Sequence, residues 1–375
     1  MSEKRILIAS LLKPVNDTRM YEKLGLSLSR LPGTAVHLCG FAAPLPASTP
    51  TNLHFHPLFR FQRLSLGRLR AQAQYYRLLH NLKPDLIIVC THELLLPSYL
   101  YCRNRATKLV YDVQENYTLN LLKQNSYNSV LKRLLALGVG SIEKFVAPAI
   151  ARFILAEKCY ATELGFLQGR YMVLENKYKK QPEYKAPLTP IALKDQPLRL
   201  LFSGTISEEY GIMEAIALAD KLYTLDRSIS LTIIGYCAMG STWNRVLQAV
   251  KGKSYISVFG GPELVPHTAI VEAMQRCNVG LLPYRPNEST FNCIPTKLYE
   301  YMAHGLVILI SQNPTWQAIV QQHQAGIAID FKTTAEKELW MQLRQQQFYT
   351  IGIPGTIFWN EEEARLLSIV QDLLK

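Results

Sequence analysis

Long apolar runs are missing from this 375-residue sequence: nothing in it approaches the roughly 20 uninterrupted apolar residues that a membrane-spanning helix requires. The opening MSEKRILIAS holds one short apolar run before Lys13 and Asn16, so neither a signal peptide nor a transmembrane helix is expected. Cysteine is sparse and scattered. Cys39, Cys90, Cys102, Cys159, Cys237, Cys277 and Cys293 contain no C-x-x-C pair, which argues against a disulfide framework and for buried thiols in a reducing cytoplasm. No His, Cys and Asp cluster has metal-ligand spacing and no D-x-D occurs, so no bound metal and no cofactor are expected. The lack of short-period repeats and low-complexity tracts removes solenoids and disordered tails. No nucleic-acid-binding motif is recognisable, so no nucleic-acid partner is expected.

What is present is an ordinary globular composition, 48% hydrophobic, in a chain longer than one core usually supports. Two domains follow as the expectation. The charge is divided unequally: residues 1–180 hold 25 Lys and Arg against 11 Asp and Glu, a balance of +14, whereas the remainder holds 16 against 18. By charge alone, a basic half beside a near-neutral half suits an anionic partner such as phospholipid, polyprenyl diphosphate or nucleic acid, or else is a solvated face kept for solubility.

Short runs rich in Ile, Val and Leu recur between helical stretches: RILIAS, AVHLCGF, DLIIVC, KLVYDV, RFILAE and YMVLEN, then LRLLFSG, SLTIIGY, ISVFGG, VGLLPY, VILIS and GIAID. Each is too uniformly apolar for a half-exposed strand, so they read as parallel strands covered on both faces by helices. The fold class is α/β, with two doubly wound domains. The boundaries fall at residues 1–180, a Pro- and Lys-rich linker at 181–197, a second domain at 198–357 and a closing helix at 358–375. In that helix Asn360 and Glu363 have the spacing of a capping box. Ligands of such sheets bind beyond the carboxyl ends of the strands, so a cleft between the two domains becomes the expected site.

The segment NCIPTKLYEYMAHGLVILIS, residues 292–311, places Pro295, Thr296 and Lys297 at a helix start and Glu300 one turn on. Amide donors at a helix start favour a phosphate, Lys297 adds a full charge, and a carboxylate one turn away accepts hydrogen bonds from a sugar diol. An exposed Lys/Glu pair three residues apart is the plain alternative. In LLFSGTISEEYG a strand runs into a small-residue turn at Ser203, Gly204 and Thr205, which suits either a phosphate or a tight turn alone.

These segments resemble the family 4 glycosyltransferases of the GT-B fold, over nearly the whole chain. IPTKLYEYMAHGLVILIS is similar to the helix and strand carrying the second Glu of the family's E-x7-E motif, here Glu300. GLLPYRPNESTFN is similar to the donor-site loop, and LRLLFSGTISEEYGIMEAIALADKL to the strand, glycine turn and helix that open the nucleotide-sugar domain. PVNDTRMYEKLGLSLSRL, PDLIIVCTHELLLP and LVYDVQENY are similar to acceptor-domain segments, and the closing helix to one that returns to the first domain. The resemblance implies two Rossmann-like domains facing each other across a cleft, and transfer of a sugar from a nucleotide-diphosphate sugar, with retention and without a metal, to a glycan or lipid-linked acceptor. Cell-surface polysaccharide assembly is the implied setting. Glu300, Lys297, Arg285 and Asn292 take the catalytic positions; Ser203, Gly204, Thr205, Tyr210, Pro283, Tyr284 and Thr296 take the donor-binding ones. The chain departs from the family at Asn292, where the first Glu would stand, at Thr205 and Tyr210 in place of a basic pair, and at Gln114 in place of His. The charge on a bound phosphate then falls to Lys297, Arg285 and backbone amides.

On the acceptor side, Asp17, Arg19, His92, Asp112 and Glu115 lie at strand ends of the first half. Asp17 also fits the N-cap of the following helix. Arg60, Arg63, Arg68, Arg70 and Arg77 alternate with Phe, Leu and Tyr, and residues 128–150 form a second amphipathic stretch. Both suit either an anionic membrane surface, giving a cytoplasmic protein peripheral to the membrane, or core helices with a basic face. Two other functions share this sequence pattern: a sugar-nucleotide epimerase on the same fold, and a degenerate, non-catalytic scaffold or binding protein.

Overall fold

A computed structural model of the chain describes residues 3–61, 65–123, 128–288 and 290–375. It divides into two compact units, one of residues 1–179 and 359–375, the other of residues 180–358.

The first unit is built on seven strands: β1 (Lys4–Pro14), β2 (Thr34–Phe41), β3 (Leu53–Phe59), β4 (Leu86–Val89), β5 (Lys108–Val113), β6 (Arg152–Leu155) and β7 (Tyr171–Val173). All pair in parallel, in the order 3-2-1-4-5-6-7. Ile6, Leu7, Ile8, Leu86, Ile87 and Ile88 are wholly buried, which is why these runs carry no polar alternation. The sequence reading missed β3. LHFHPLF forms the sheet edge and exposes most of its length, so alternating His and Phe replace the continuous Ile/Val/Leu signal. The helices that matter below are α1 (Gly67–Leu82), α2 (Tyr117–Lys123) and α3 (Ser129–Val146).

The second unit has β8 (Ile191–Ala192), β9 (Arg199–Thr205), β10 (Ser230–Tyr236), β11 (Ile256–Gly261), β12 (Val279–Leu282), β13 (Val307–Ser311), β14 (Gly326–Ile329) and β15 (Gln347–Phe348). Six form a parallel sheet in the order 11-10-9-12-13-14, and β8 pairs antiparallel with β15. The connections diverge between β9 and β12, so the crevice beyond these two strands is the switch point where ligands of such sheets bind. Helices α4 (Ile212–Leu225), α5 (His267–Arg276) and α6 (Thr296–Ala303) end or begin around it.

Two expectations change. Residues 181–197 are not a free linker but pack on the second unit: β8 lies in their midst, the Tyr184 hydroxyl donates to Ala303 O at 2.8 Å, and Arg344 donates to Leu193 O at 2.6 Å. The closing helix α7 (Asn360–Leu374) has Trp359, not Asn360, at its N-cap. Glu363 points away from the helix start, accepting from Ser27 Oγ at 2.7 Å and Arg30 at 2.8 Å. With Trp359 it secures α7 to the first unit, where Leu366 and Val370 join the core of Met20, Leu24, Leu28 and Val36. No helix among the described residues is long and apolar enough to cross a membrane.

Candidate functional site

At the switch point of the second unit, β9 ends in the glycine turn and α6 begins opposite it. Gly204 has φ +107°, and a Cβ there would lie 3.1 Å from Lys297 Cε. The missing side chain lets the Lys297 stem lie against the turn. Behind the turn, the buried Tyr301 hydroxyl accepts from Ser203 N at 3.1 Å and shares a hydrogen bond with Ser203 Oγ at 3.0 Å. The strand end is thereby held on α6. Thr205 follows on the exposed side.

Pro295 is the N-cap residue of α6 rather than its first turn, and no side chain caps the helix. Thr296 and Lys297 therefore supply the first helical amides, which have no partners within the helix itself. One turn on, the buried Glu300 carboxylate accepts from Lys297 Nζ at 2.5 Å through Oε2, and Oε1 lies 3.8 Å from His267 Nε2 at the start of α5. Burial by itself would raise this carboxyl, but Lys297, and then His267, outweigh it and hold it well below the ordinary carboxylate range. Glu300 is thus an ionised acceptor throughout the physiological range. His304, at the end of α6, is pushed down to about 4 by burial, with His267 and Lys297 adding to the effect and Glu300 opposing it. It is neutral near pH 7.

The loop after β12 runs beside the start of α4. Gly211 has φ +74°, and a Cβ there would meet Pro283 O at 1.9 Å, so only glycine lets the two segments touch. Arg285 N donates to Glu209 O at 2.9 Å. The rings of Tyr210 and Tyr284 stand 4.6 Å apart, and Tyr284 meets Trp316 edge-on at 5.7 Å. Arg285 does not present an unmatched charge: its Nε and Nη2 both lie 2.8 Å from Glu214 Oε1, because the close approach at Gly211 brings α4 alongside the loop. Asn292 is exposed, four residues ahead of α6. The structure thus gathers Ser203, Gly204, Thr296, Lys297 and Glu300 around one turn, and Tyr210, Pro283, Tyr284 and Arg285 along the adjoining loop.

The acceptor-side expectations fare differently. Arg19 and Asp112 turn inward and pair with each other, Nη2 to Oδ1 at 2.7 Å and Nε to Oδ2 at 2.9 Å, with exposures of 2% and 0%. Gln114 donates to Asp112 Oδ2 at 2.7 Å and accepts from Lys13, closing the network. Burial would lower the Arg19 pKa, but Asp112 more than offsets it. Two opposite charges on neighbouring elements thus satisfy one another away from water. Asp17 caps its helix, Oδ1 accepting from Arg19 N and Met20 N at 3.0 Å each. His92, whose pKa burial lowers, packs edge-on against Tyr117 at 4.6 Å, with Glu93 Oε2 3.6 Å away. Glu115 is exposed and accepts from Asn120 at 3.1 Å. Arg63 lies outside the described residues.

Four site residues were not anticipated: His267, His304, Tyr301 and Glu214. His304 stands four positions after Glu300 and so shares its face of α6, a spacing the sequence displays. Nothing local in the sequence signals His267, which comes within 3.8 Å of Glu300 only in the folded unit. Among the described residues no group of three or more His, Cys, Asp or Glu is placed to hold a metal ion.

Residues 189–340 match the family model described as Glycosyl transferases group 1. No curated protein matches the chain significantly. Among solved structures, the chain is similar to sucrose-phosphate synthase from Thermosynechococcus elongatus, with TM-score 0.69, 12% identity and 99% of each chain covered. It is also similar to Anabaena HepE in complex with UDP, with TM-score 0.58, 13% identity and 99% of each chain covered. A third neighbour is UDP-GlcNAc 2-epimerase from Neisseria meningitidis bound to UDP-GlcNAc, with TM-score 0.60, 11% identity and 98% of this chain and 100% of that one covered. The chain has two parallel-sheet, Rossmann-like α/β units and the fold of GT-B glycosyltransferases.

Proposed function

We propose that the protein is a retaining, family 4-type hexosyltransferase that moves a sugar from a nucleoside diphosphate sugar to a glycan or lipid-linked acceptor in cell-surface polysaccharide assembly, at the cytoplasmic face of the membrane. The observation that carries the reading is Lys297, which touches the Gly204 turn and pairs with Glu300 at 2.5 Å. A nucleoside diphosphate needs an acceptor for its ribose hydroxyls and a cation with amide donors for its phosphates, about one helical turn apart. Glu300 supplies the first, held ionised by its neighbours; Lys297, the first amides of α6 and the backbone at Gly204 supply the second. Arg285, matched by Glu214, and the exposed Asn292 and Thr205 stand farther out as contacts for the sugar and the diphosphate.

As the glycosidic bond to the diphosphate breaks, negative charge grows on the leaving oxygen. The Lys297 ammonium and helix-start amides are already fixed there and stabilise it without reorganisation. The ribose grip of Glu300 holds the leaving group in place meanwhile. The match of residues 189–340 to group 1 glycosyltransferases supports transfer over the epimerase reading, and the UDP carried by the Anabaena neighbour supports a nucleotide donor.

The test is release of nucleoside diphosphate by purified protein across a panel of nucleotide sugars, with and without Glu300→Ala. Activity that drops at least tenfold in the variant supports the assignment, and equal activity in both removes it. A changed sugar configuration in the nucleotide-bound product, without any acceptor, establishes the epimerase reading instead.

A further inference from the structure

Glu300 is approached from two sides, by Lys297 on its own helix and by His267 on another. The approach of His267 is built into α5. His267, Ile270 and Met274 fall three and four residues apart, on one face of that helix, and Ile270 and Met274 are buried. The helix lies against β9 and β10, so the face that fills the core also carries its first side chain to the switch point. With side-chain exposures of 22% for His267 and 9% for Glu300, the two meet largely out of bulk water.

An ionised carboxylate offers about four lone-pair sites, two on each oxygen, and its terminal torsion is broad. One anchor therefore fixes one oxygen and leaves the plane of the group free to turn. Lys297 Nζ anchors Oε2 at 2.5 Å. His267 Nε2 stands 3.8 Å from Oε1, and a small turn of the imidazole brings it within hydrogen-bond range. The neutral ring serves in the tautomer with its proton on Nε2, and the imidazolium serves equally. Two anchors on different oxygens set the carboxylate plane. One lone-pair site then remains on each oxygen, side by side, an arrangement that two vicinal hydroxyls match and a single hydroxyl does not.

We infer that His267 is a positioning residue for Glu300, and that through it the site selects a nucleotide with both ribose hydroxyls over its 2′-deoxy counterpart. This rests on the reading of Glu300 as the ribose acceptor, and adds to it a residue and a selectivity.

The experiment is calorimetric titration of the full chain with UDP, GDP and ADP, each beside its 2′-deoxy form, the ratio of the two affinities being taken for the base that binds tightest. The wild type is expected to favour the ribonucleotide by about tenfold or more, because the deoxy form leaves a charged acceptor without one of its donors. His267→Ala should lower that ratio by about threefold or more, the coupling expected within one hydrogen-bonded network, by weakening the ribonucleotide and leaving the deoxynucleotide nearly unchanged. His267→Leu keeps the bulk at this position but has no N–H, and should lose the preference in the same way. An unchanged ratio in either variant overturns the inference, as does an equal loss for both nucleotides, which is what a purely structural role gives. Glu300→Ala separates the two levels. If it abolishes the preference while both His267 variants keep it, the role of His267 falls and the ribose reading stands. If Glu300→Ala keeps the preference, or the wild type binds no nucleotide, the ribose reading fails and the role of His267 falls with it.

Discussion

Each unit holds a charge pair near the carboxyl end of a parallel strand, in different surroundings. In the first, Arg19 and Asp112 match each other donor for acceptor and are sealed from water. In the second, Lys297 and Glu300 also pair, but beside a glycine whose absent side chain leaves the lysine stem against a turn, at the start of a helix that no side chain caps. The lesson lies in what surrounds the pair. On the function proposed above, the first pair is scaffold, and the second, beside a glycine turn at a helix start, meets a ligand.

Breaking the sealed pair should have the largest effect. Asp112→Ala leaves Arg19 buried without its counterion and should cost about 3–5 kcal/mol of stability in denaturant unfolding. Nucleotide affinity should hardly move; a stable variant with lost nucleotide binding would reverse the assignment of the two sites.

The acids of the two units should also differ in pH response. Glu143, with a folded pKa near 7, binds more protons folded than unfolded between about pH 4.5 and 7. Its contribution to stability is therefore lost as pH rises through that window. Relative to Glu143→Gln, the wild-type chain should lose roughly 2 kcal/mol between pH 5 and 7.5. Glu300 has a lowered pKa, so its contribution is present above the ordinary carboxylate pKa and fades as pH falls. A stability profile of Glu143→Gln parallel to the wild type would show that this carboxyl is not perturbed by burial.

Tyr301→Phe removes the acceptor for the buried Ser203 N–H and should cost about 1–3 kcal/mol of stability while loosening the glycine turn. Unchanged stability together with unchanged nucleotide affinity would mean that the turn needs no such support. Asn292→Ala, at an exposed position, should shift unfolding by no more than about 0.5 kcal/mol. A larger loss would place Asn292 within the packed structure of the second unit.

Both sheets were legible because buried parallel strands advertise themselves as apolar runs. The exceptions were β3, whose exposed edge dilutes the run with histidine, and the two-residue strands β8 and β15, too short to carry a pattern. At the site, Glu300, Lys297, Thr296 and Gly204 could be read because they lie on one helix and one turn, where spacing reports position. Arg19 with Asp112, 93 residues apart, and His267 with Glu300, 33 apart, could not be read that way. Their meeting depends on tertiary packing, so a side chain free in sequence turned out neutralised, and an unremarked histidine turned out to lie beside Glu300. The same applies to Arg285, whose partner Glu214 reaches it only through the Gly211 contact.

In the function proposed above, Glu300 holds the ribose of a nucleoside diphosphate whose phosphates meet Lys297 and the start of α6. Calorimetric titration of UDP, GDP and ADP into the wild-type chain and Glu300→Ala tests it most directly. At least one nucleotide is expected to bind the wild type and to bind the variant weaker by about 1.5–3 kcal/mol, a factor of roughly 10 to 150. Equal affinity in both proteins, or no binding of any nucleotide to the wild type, would contradict it.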